Sequence, residues 1–283
     1  MAVLSIDLAF RRWSDLGAVL LERAHVQPVR EPGFGPIGLP LKPTFGSAKS
    51  GNIQAAQEPD EGVIACEILR WDDPGPVDPE NLAGRLNHIC VTRNVKILML
   101  DGPQAWKSSS NGLEFARVSE RQLNKPSKTG LPGMVKPVSS RPFAEACLDV
   151  YDALCRRGWH RLQTRNQPIA TPERLLVESY PHAAWKSLGI KPLPSKRRTK
   201  VSDLAEAFAA LCALMPITTD RPPNHDQLQA IVGGLCGLAL EERNTAGAKI
   251  VGKPPQREDG HWREGFIVLP LPPSRAATLR WLH

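Results

Sequence analysis

Apolar residues fall along this chain in short runs separated by polar, Gly- and Pro-bearing stretches. The run VLSIDLA predicts a strand over 2–9, and LGAVLLE predicts a second over 16–22. A short turn around Arg11, Arg12 and Trp13 would close them into a hairpin. Residues 62–71 (GVIACEILRW) alternate as a third strand. Residues 79–93 switch to helical spacing and open with Pro79 and Glu80, a favourable N-terminus. KILML at 96–100 reads as a buried strand, ended abruptly by Asp101-Gly102-Pro103. An amphipathic helix is expected over 111–124, followed by a Gly/Pro/Lys loop over 125–138. Residues 142–158 form a helix with a glycine at its end, and 174–179 a further buried strand. Helices follow near 182–188, at 201–214 and at 225–243, with a last strand over 265–270. Between the second and third strands, residues 28–61 carry six prolines and five glycines without periodicity, which predicts a long loop.

The order is therefore β-β-β-α-β-α-β-α with additions. Three opening strands can form a meander, and strands separated by helices need right-handed crossovers, so the later ones can lie parallel to the first. That arrangement brings the ends of the first, fourth and fifth strands to one edge. Those ends carry Asp7, Asp101 and Glu178, and Asp226 opens the helix at 225. A carboxylate at the end of a buried strand is costly unless it is neutralised. Ligands of open α/β sheets bind at the carboxyl ends of the parallel strands. Several acids converging there make an all-oxygen site suited to Mg²⁺ or Mn²⁺, and that chemistry points to phosphodiester cleavage.

Composition narrows the choice. The 283 residues fit one large domain with insertions at 28–61 and 105–141, and 41% hydrophobic residues suffice for a core. No apolar run is long enough for a membrane span, and the N-terminus lacks the pattern of a secretory signal. None of the six cysteines forms a C-x-x-C pair, so neither zinc nor a disulfide framework is expected, and a reducing cytoplasm is the simplest setting. The net charge of +7 favours a polyanion partner. Its distribution is uneven: residues 105–141 hold seven basic groups against Glu114 and Glu120, and Lys196-Arg197-Arg198-Thr199-Lys200 is a second cluster.

This order and several local motifs resemble the ribonuclease H-like fold, and within it a family labelled DUF429 whose members are described as predicted nucleases. The stretches that carry the resemblance are IDLAF at 6–10, LDGPQAW at 100–106, ARVSERQL at 116–123, VYDALCRRGW at 150–159, VESYPHAAWKSLG at 177–189, HDQLQAIVGGL at 225–235 and REGFIVLP at 263–270. The resemblance implies a mixed five-stranded sheet with helices on both faces and catalytic acids at Asp7, Asp101, Glu178 and Asp226. Asp7 would bridge two metal ions roughly 4 Å apart, with Glu178 serving the second. Two features depart from the family pattern: the helix after Asp226 reads Gln227-Leu228-Gln229-Ala230 with glycines at 233, 234 and 237, and the 28–61 loop is long.

Each position also has a plainer reading. Asp7 and Asp101 suit strand-end turns, Glu178 could pair with Lys186 or Arg174, and Asp226 sits where helix N–H groups favour an acid. His225 could exchange protons or be an ordinary surface residue. The glycines of the last helix suggest close packing on the sheet. Arg117 and Arg121 share one helix face and, with Lys125, Lys128, Lys196, Arg197, Arg198 and Lys200, are candidates for phosphate contacts or for a solvated surface. Trp13, Trp106, Tyr180 and Trp185 could stack on unpaired bases or belong to the core. The expectation is a divalent-metal-dependent nuclease acting on DNA or RNA. Its first rival is a non-catalytic nucleic-acid-binding or protein-interaction module. An ATP-dependent phosphotransferase of the actin-like type would need a glycine-rich loop after Asp7, where Leu8-Ala9-Phe10-Arg11 stands.

Overall fold

The structure is a computed structural model that describes residues 2–23, 62–71, 73–165 and 174–273. The 28–61 insertion lies outside the described residues. In chain order the elements are β1 (Ala2–Asp7), β2 (Gly17–Arg23), β3 (Ile64–Leu69), α1 (Pro79–Thr92), β4 (Ile97–Asp101), α2 (Val118–Gln122), β5 (Lys128–Thr129), β6 (Val135–Lys136) and α3 (Arg141–Arg156). They continue with β7 (Trp159–Arg161), β8 (Arg174–Ser179), α4 (Pro181–Ser187), α5 (Val201–Leu214), β9 (Ile217–Thr219), α6 (His225–Glu241), β10 (Ala248–Glu258) and β11 (His261–Pro270).

One mixed sheet organises the described residues, in the order β10-β11-β8-β4-β1-β2-β3-β9, with β7 pairing β8. The opening strands form the expected antiparallel meander, Asp7 opposite Gly17 and Ala18 opposite Leu69. The later strands join in parallel, with Asp7 beside Asp101 and Asp101 beside Ser179. Strand side chains alternate between faces. Val3, Met99 and Val177 therefore pack with α4, α5 and α6, whereas Leu4, Ile6, Leu98, Leu100 and Leu176 pack with α1 and α3. Helices thus cover both faces of the sheet. None of them, among the described residues, is long and apolar enough to cross a membrane.

Helix α6 lies unusually close to the sheet, and its glycines are the reason. A Cβ on Gly234 would fall 2.6 Å from both Leu21 Cδ1 and Ser5 Cβ, and one on Gly237 2.6 Å from Val3 Cγ1. Any side chain there would push the helix outward. Gly17 plays the same part at the helix start, where an added Cβ would fall 2.1 Å from the carbonyl oxygen of Asp226.

Several elements differ from expectation. The sheet has nine strands among the described residues rather than five, because β7, β9, β10 and β11 join it, and β11 begins at His261 rather than at 265. Strand β10 contains Pro254 and Pro255, which reads against a strand. It lies at the sheet edge, with its register shift between Lys253 and Gln256, where missing N–H groups cost nothing. The helix expected over 111–124 shrinks to Val118–Gln122. Asn111 turns the chain by accepting from the N–H of Leu113, Gly112 has φ +74°, and the N–H of Val118 donates to Glu264. Local side-chain bonds outcompete the helix there. The expected loop over 125–138 contains the two-stranded hairpin β5-β6.

Candidate acidic site at the carboxyl ends of the parallel strands

Strands β1 and β4 end level with each other, so Asp7 and Asp101 stand as neighbours on the face covered by α6. Gly102, with φ +154°, turns the chain sharply after Asp101, and a Cβ there would strike Cys147 Sγ at 2.5 Å. The two carboxyl groups are hydrogen-bonded to each other. Burial, the negative charges of Asp101 and Asp226, and the bond to Asp101 push Asp7 well above the ordinary carboxylate range, against the opposing pull of Lys196. Burial also pushes Asp101 up, to about 6, while Lys125 and the bond from Asp7 pull it down. Both shifts run upward from the ordinary aspartate value, so the two groups compete for protons as a pair. Two half-buried carboxyls this close repel each other when both are ionised without a cation, so the pair titrates as a unit.

Asp226 completes this face. The side chain of Asn224 caps α6 by accepting from the N–H of Gln227, and Gly17 lets the first turn approach the β1–β2 hairpin. Asp226 is buried and lies near enough to Asp7 to raise its proton affinity. Its carboxylate is already occupied: Lys196 forms an ion pair with it and with Asp15 at 2.9 Å, and His225 Nδ1 lies 3.0 Å from it. His225 Nε2 is 3.1 Å from the carbonyl of Pro194, so the ring ties the basic 194–200 turn to the acid.

Glu178 behaves differently. Its register partner is Leu100, one residue before Asp101, so its side chain leaves the opposite face of the sheet. There it is fully buried and saturated. Arg117 Nη1 and Nη2 each donate to it at 2.7 Å, the N–H of Gln104 donates at 3.1 Å, and Lys125 Nζ lies 3.7 Å away. Arg117 also donates to Glu120, which accepts from the N–H and hydroxyl of Thr129 at 2.9 and 2.7 Å. Burial alone would lower the Arg117 pKa, but Glu178 and Glu120 more than reverse that and raise it. Burial alone would raise Glu120, and Arg117, Lys125 and Thr129 hold it below its ordinary range. Among the described residues, no group of three or more His, Cys, Asp or Glu side chains forms a set of metal ligands.

The basic candidates separate accordingly. Arg117 is fully buried in this network and is not a surface phosphate clamp. Lys125 is also buried, 4.5 Å from the Tyr180 ring centroid and close enough to Asp101 to stabilise its charge. Lys128 is half-buried, its Nζ donating to the carbonyl of Glu120. Arg121, Lys196, Arg197, Arg198 and Lys200 are exposed, with Lys196 tied to Asp226. Of the aromatic candidates, Trp13 stacks on Trp71 at 5.8 Å, Trp106 forms a backbone bridge to Arg263, and Trp185 is buried and donates to Gln229. These three serve the core, and only Tyr180 adjoins the acids. An open cleft of about 790 Å³ lies elsewhere on the same edge, lined by Arg70, Trp71, Arg85 and His88.

Neither a protein-family model nor a curated protein matches the chain. A solved structure of RuvC from Thermus thermophilus aligns with it at 9% identity and a TM-score of 0.35, over 90% of this chain and 99% of that one.

Proposed function

We propose that this chain is a divalent-cation-dependent nuclease that hydrolyses phosphodiester bonds of nucleic acid on a ribonuclease H-like sheet. One observation carries the reading: Asp7 and Asp101 end adjacent parallel strands side by side, hydrogen-bonded to each other and both raised in proton affinity by burial, with Asp226 beside them on the same face. A half-buried pair of neighbouring carboxyls is an all-oxygen donor set, and a Mg²⁺ or Mn²⁺ held by it would relieve the repulsion that a proton relieves in its absence. The strand order β8-β4-β1-β2-β3, a meander followed by parallel strands, supports the fold assignment. A bound Mg²⁺ or Mn²⁺ supplies Lewis acidity toward a phosphoryl oxygen and lowers the pKa of water.

The chain's own residues have defined parts. Asp7 and Asp101 present two oxygens from a rigid sheet edge. Lys125 holds a positive charge beside Asp101, and the exposed Arg197, Arg198 and Lys200 draw the polyanion toward Lys196 and Asp226. The test is cleavage of single- and double-stranded DNA and RNA with Mn²⁺ present. Wild type should cut at least one of these substrates, and Asp7→Asn and Asp101→Asn should each abolish cleavage while retaining binding. Failure of wild type to cut any of them refutes the reading.

A second reading has its own observation. Glu178 and Asp226 are each held by basic partners rather than left open, which is the arrangement a non-catalytic nucleic-acid-binding module would keep. Binding by wild type without cleavage, unchanged in Asp7→Asn, would favour it.

A further inference from the structure

We infer that the acidic edge is built for one divalent cation rather than two, and that Lys125 is the fixed positive charge standing where a second would be needed. The inference rests on the nuclease reading above and narrows it. A two-ion site needs a ligand for the second ion on the far side of Asp101, and Glu178 is the acid in that direction. Glu178 leaves the opposite face of the sheet from Asp7 and Asp101, because its register partner is Leu100. Both of its oxygens accept from the Arg117 guanidinium at 2.7 Å, one also accepts from the N–H of Gln104, and the residue is wholly buried.

Charge-assisted bidentate pairs of this kind are the strongest hydrogen bonds a side chain makes. A divalent ion at Glu178 would have to displace Arg117 and leave its guanidinium buried without that partner, next to Lys125. The guanidinium has no alternative exit, since it is also bonded to Glu120 inside the network closed by Thr129.

Lys125 lies between the two halves of the edge. Its Nζ is 3.7 Å from Glu178 and 4.5 Å from the centroid of the Tyr180 ring, and its charge acts on Asp101. The ring and the carboxylate confine the ammonium, and its side chain is 10% exposed. It therefore offers a localised positive charge that needs no ion from solution. Asp7 and Asp101, unlike Glu178, carry no basic side chain in direct contact among the described residues and so offer two oxygen donors for one ion, with Asp226 as a third if Lys196 releases it.

Mn²⁺ binding to the full-length, metal-stripped chain tests this without relying on activity. Calorimetric titration should give one Mn²⁺ per chain, and the electron paramagnetic resonance spectrum should be that of an isolated ion. Asp7→Asn should weaken binding by about tenfold or more. Lys125→Met removes a positive charge beside Asp101 and should tighten Mn²⁺ binding several-fold, with Lys125→Arg returning it to the wild-type value. A merely structural lysine would not produce that tightening. Two Mn²⁺ per wild-type chain with a spin-coupled spectrum would overturn the inference and leave the nuclease reading standing. So would an unchanged affinity in a folded Lys125→Met. No bound Mn²⁺ at all would overturn both. The stoichiometry is read on wild type, so the outcome does not depend on any variant folding.

Discussion

The raised proton affinity of Asp7 and Asp101 makes stability depend on pH in an unusual direction, and the size of the effect follows from the structure. Asp101 is held at about 6, against 3.8 for an ordinary aspartate. A carboxyl whose folded pKa is raised binds its proton more tightly when folded. Its contribution is complete below the unfolded pKa and is lost as the pH rises through the folded one. At ~1.4 kcal/mol per pH unit, the gap amounts to ~3 kcal/mol lost between about pH 4 and pH 6. Asp7, raised further by the same burial and by Asp101 itself, extends the loss to higher pH. Carboxyls held low elsewhere, such as Asp15 and Glu120, lose their contributions at lower pH and are common to all variants. The informative quantity is therefore a difference. Urea unfolding of wild type and Asp101→Asn across this range should show wild type losing ~3 kcal/mol relative to the variant as the pH rises. Saturating Mn²⁺ should reverse the trend above pH ~6, by ~2.7 kcal/mol at a hundredfold excess over Kd. A wild-type-minus-variant difference that stays flat across the range would refute the raised proton affinity of the site.

Three further outcomes are expected. Arg117→Met strands the Glu178 charge in the interior and should cost about 3–5 kcal/mol in urea unfolding. The double variant Arg117→Met with Glu178→Met should recover most of that loss, and equal losses in both would show that the ion pair is not the cause. Gly234→Ala sets a methyl 2.6 Å from Leu21 and Ser5. The helix-propensity gain of up to ~1 kcal/mol is outweighed by overpacking of ~1–3 kcal/mol, so the variant should unfold at lower urea, and a stabilised variant would contradict the close α6–sheet contact. Replacing both Arg197 and Arg198 by alanine should weaken oligonucleotide binding and lower the slope of log affinity against log salt by roughly 1–2, read by fluorescence anisotropy; an unchanged slope would remove the 196–200 turn from the interface.

Much of the architecture was legible in the chain because its signals are local. Apolar runs, the proline and acid at 79–80, the glycine at 158 and the glycines at 233, 234 and 237 each constrain a few neighbouring residues, and the matching elements and the close helix packing follow from them. The order of strands was readable for the same reason, since connection lengths restrict how they can pair. Strand β10 was hidden because its two prolines are tolerated only at an edge and a bulge, and edges exist only once the sheet is assembled.

The site divides along the same line. That Asp7, Asp101, Glu178 and Asp226 terminate or open apolar elements is a property of the sequence. Which face each carboxyl occupies is not, because a register offset of one residue reverses a side chain and register is set by contacts between distant segments. Only the assembled sheet places Asp101 beside Ser179 rather than Glu178, and sends Glu178 to the face where Arg117 waits. The charges of Arg117, Lys125 and Lys196 read in one dimension as a surface for polyanions. In three dimensions each of them lies next to a carboxylate, Arg117 and Lys125 because an ionised group out of water must find its opposite, and Lys196 as an exposed bridge between Asp15 and Asp226.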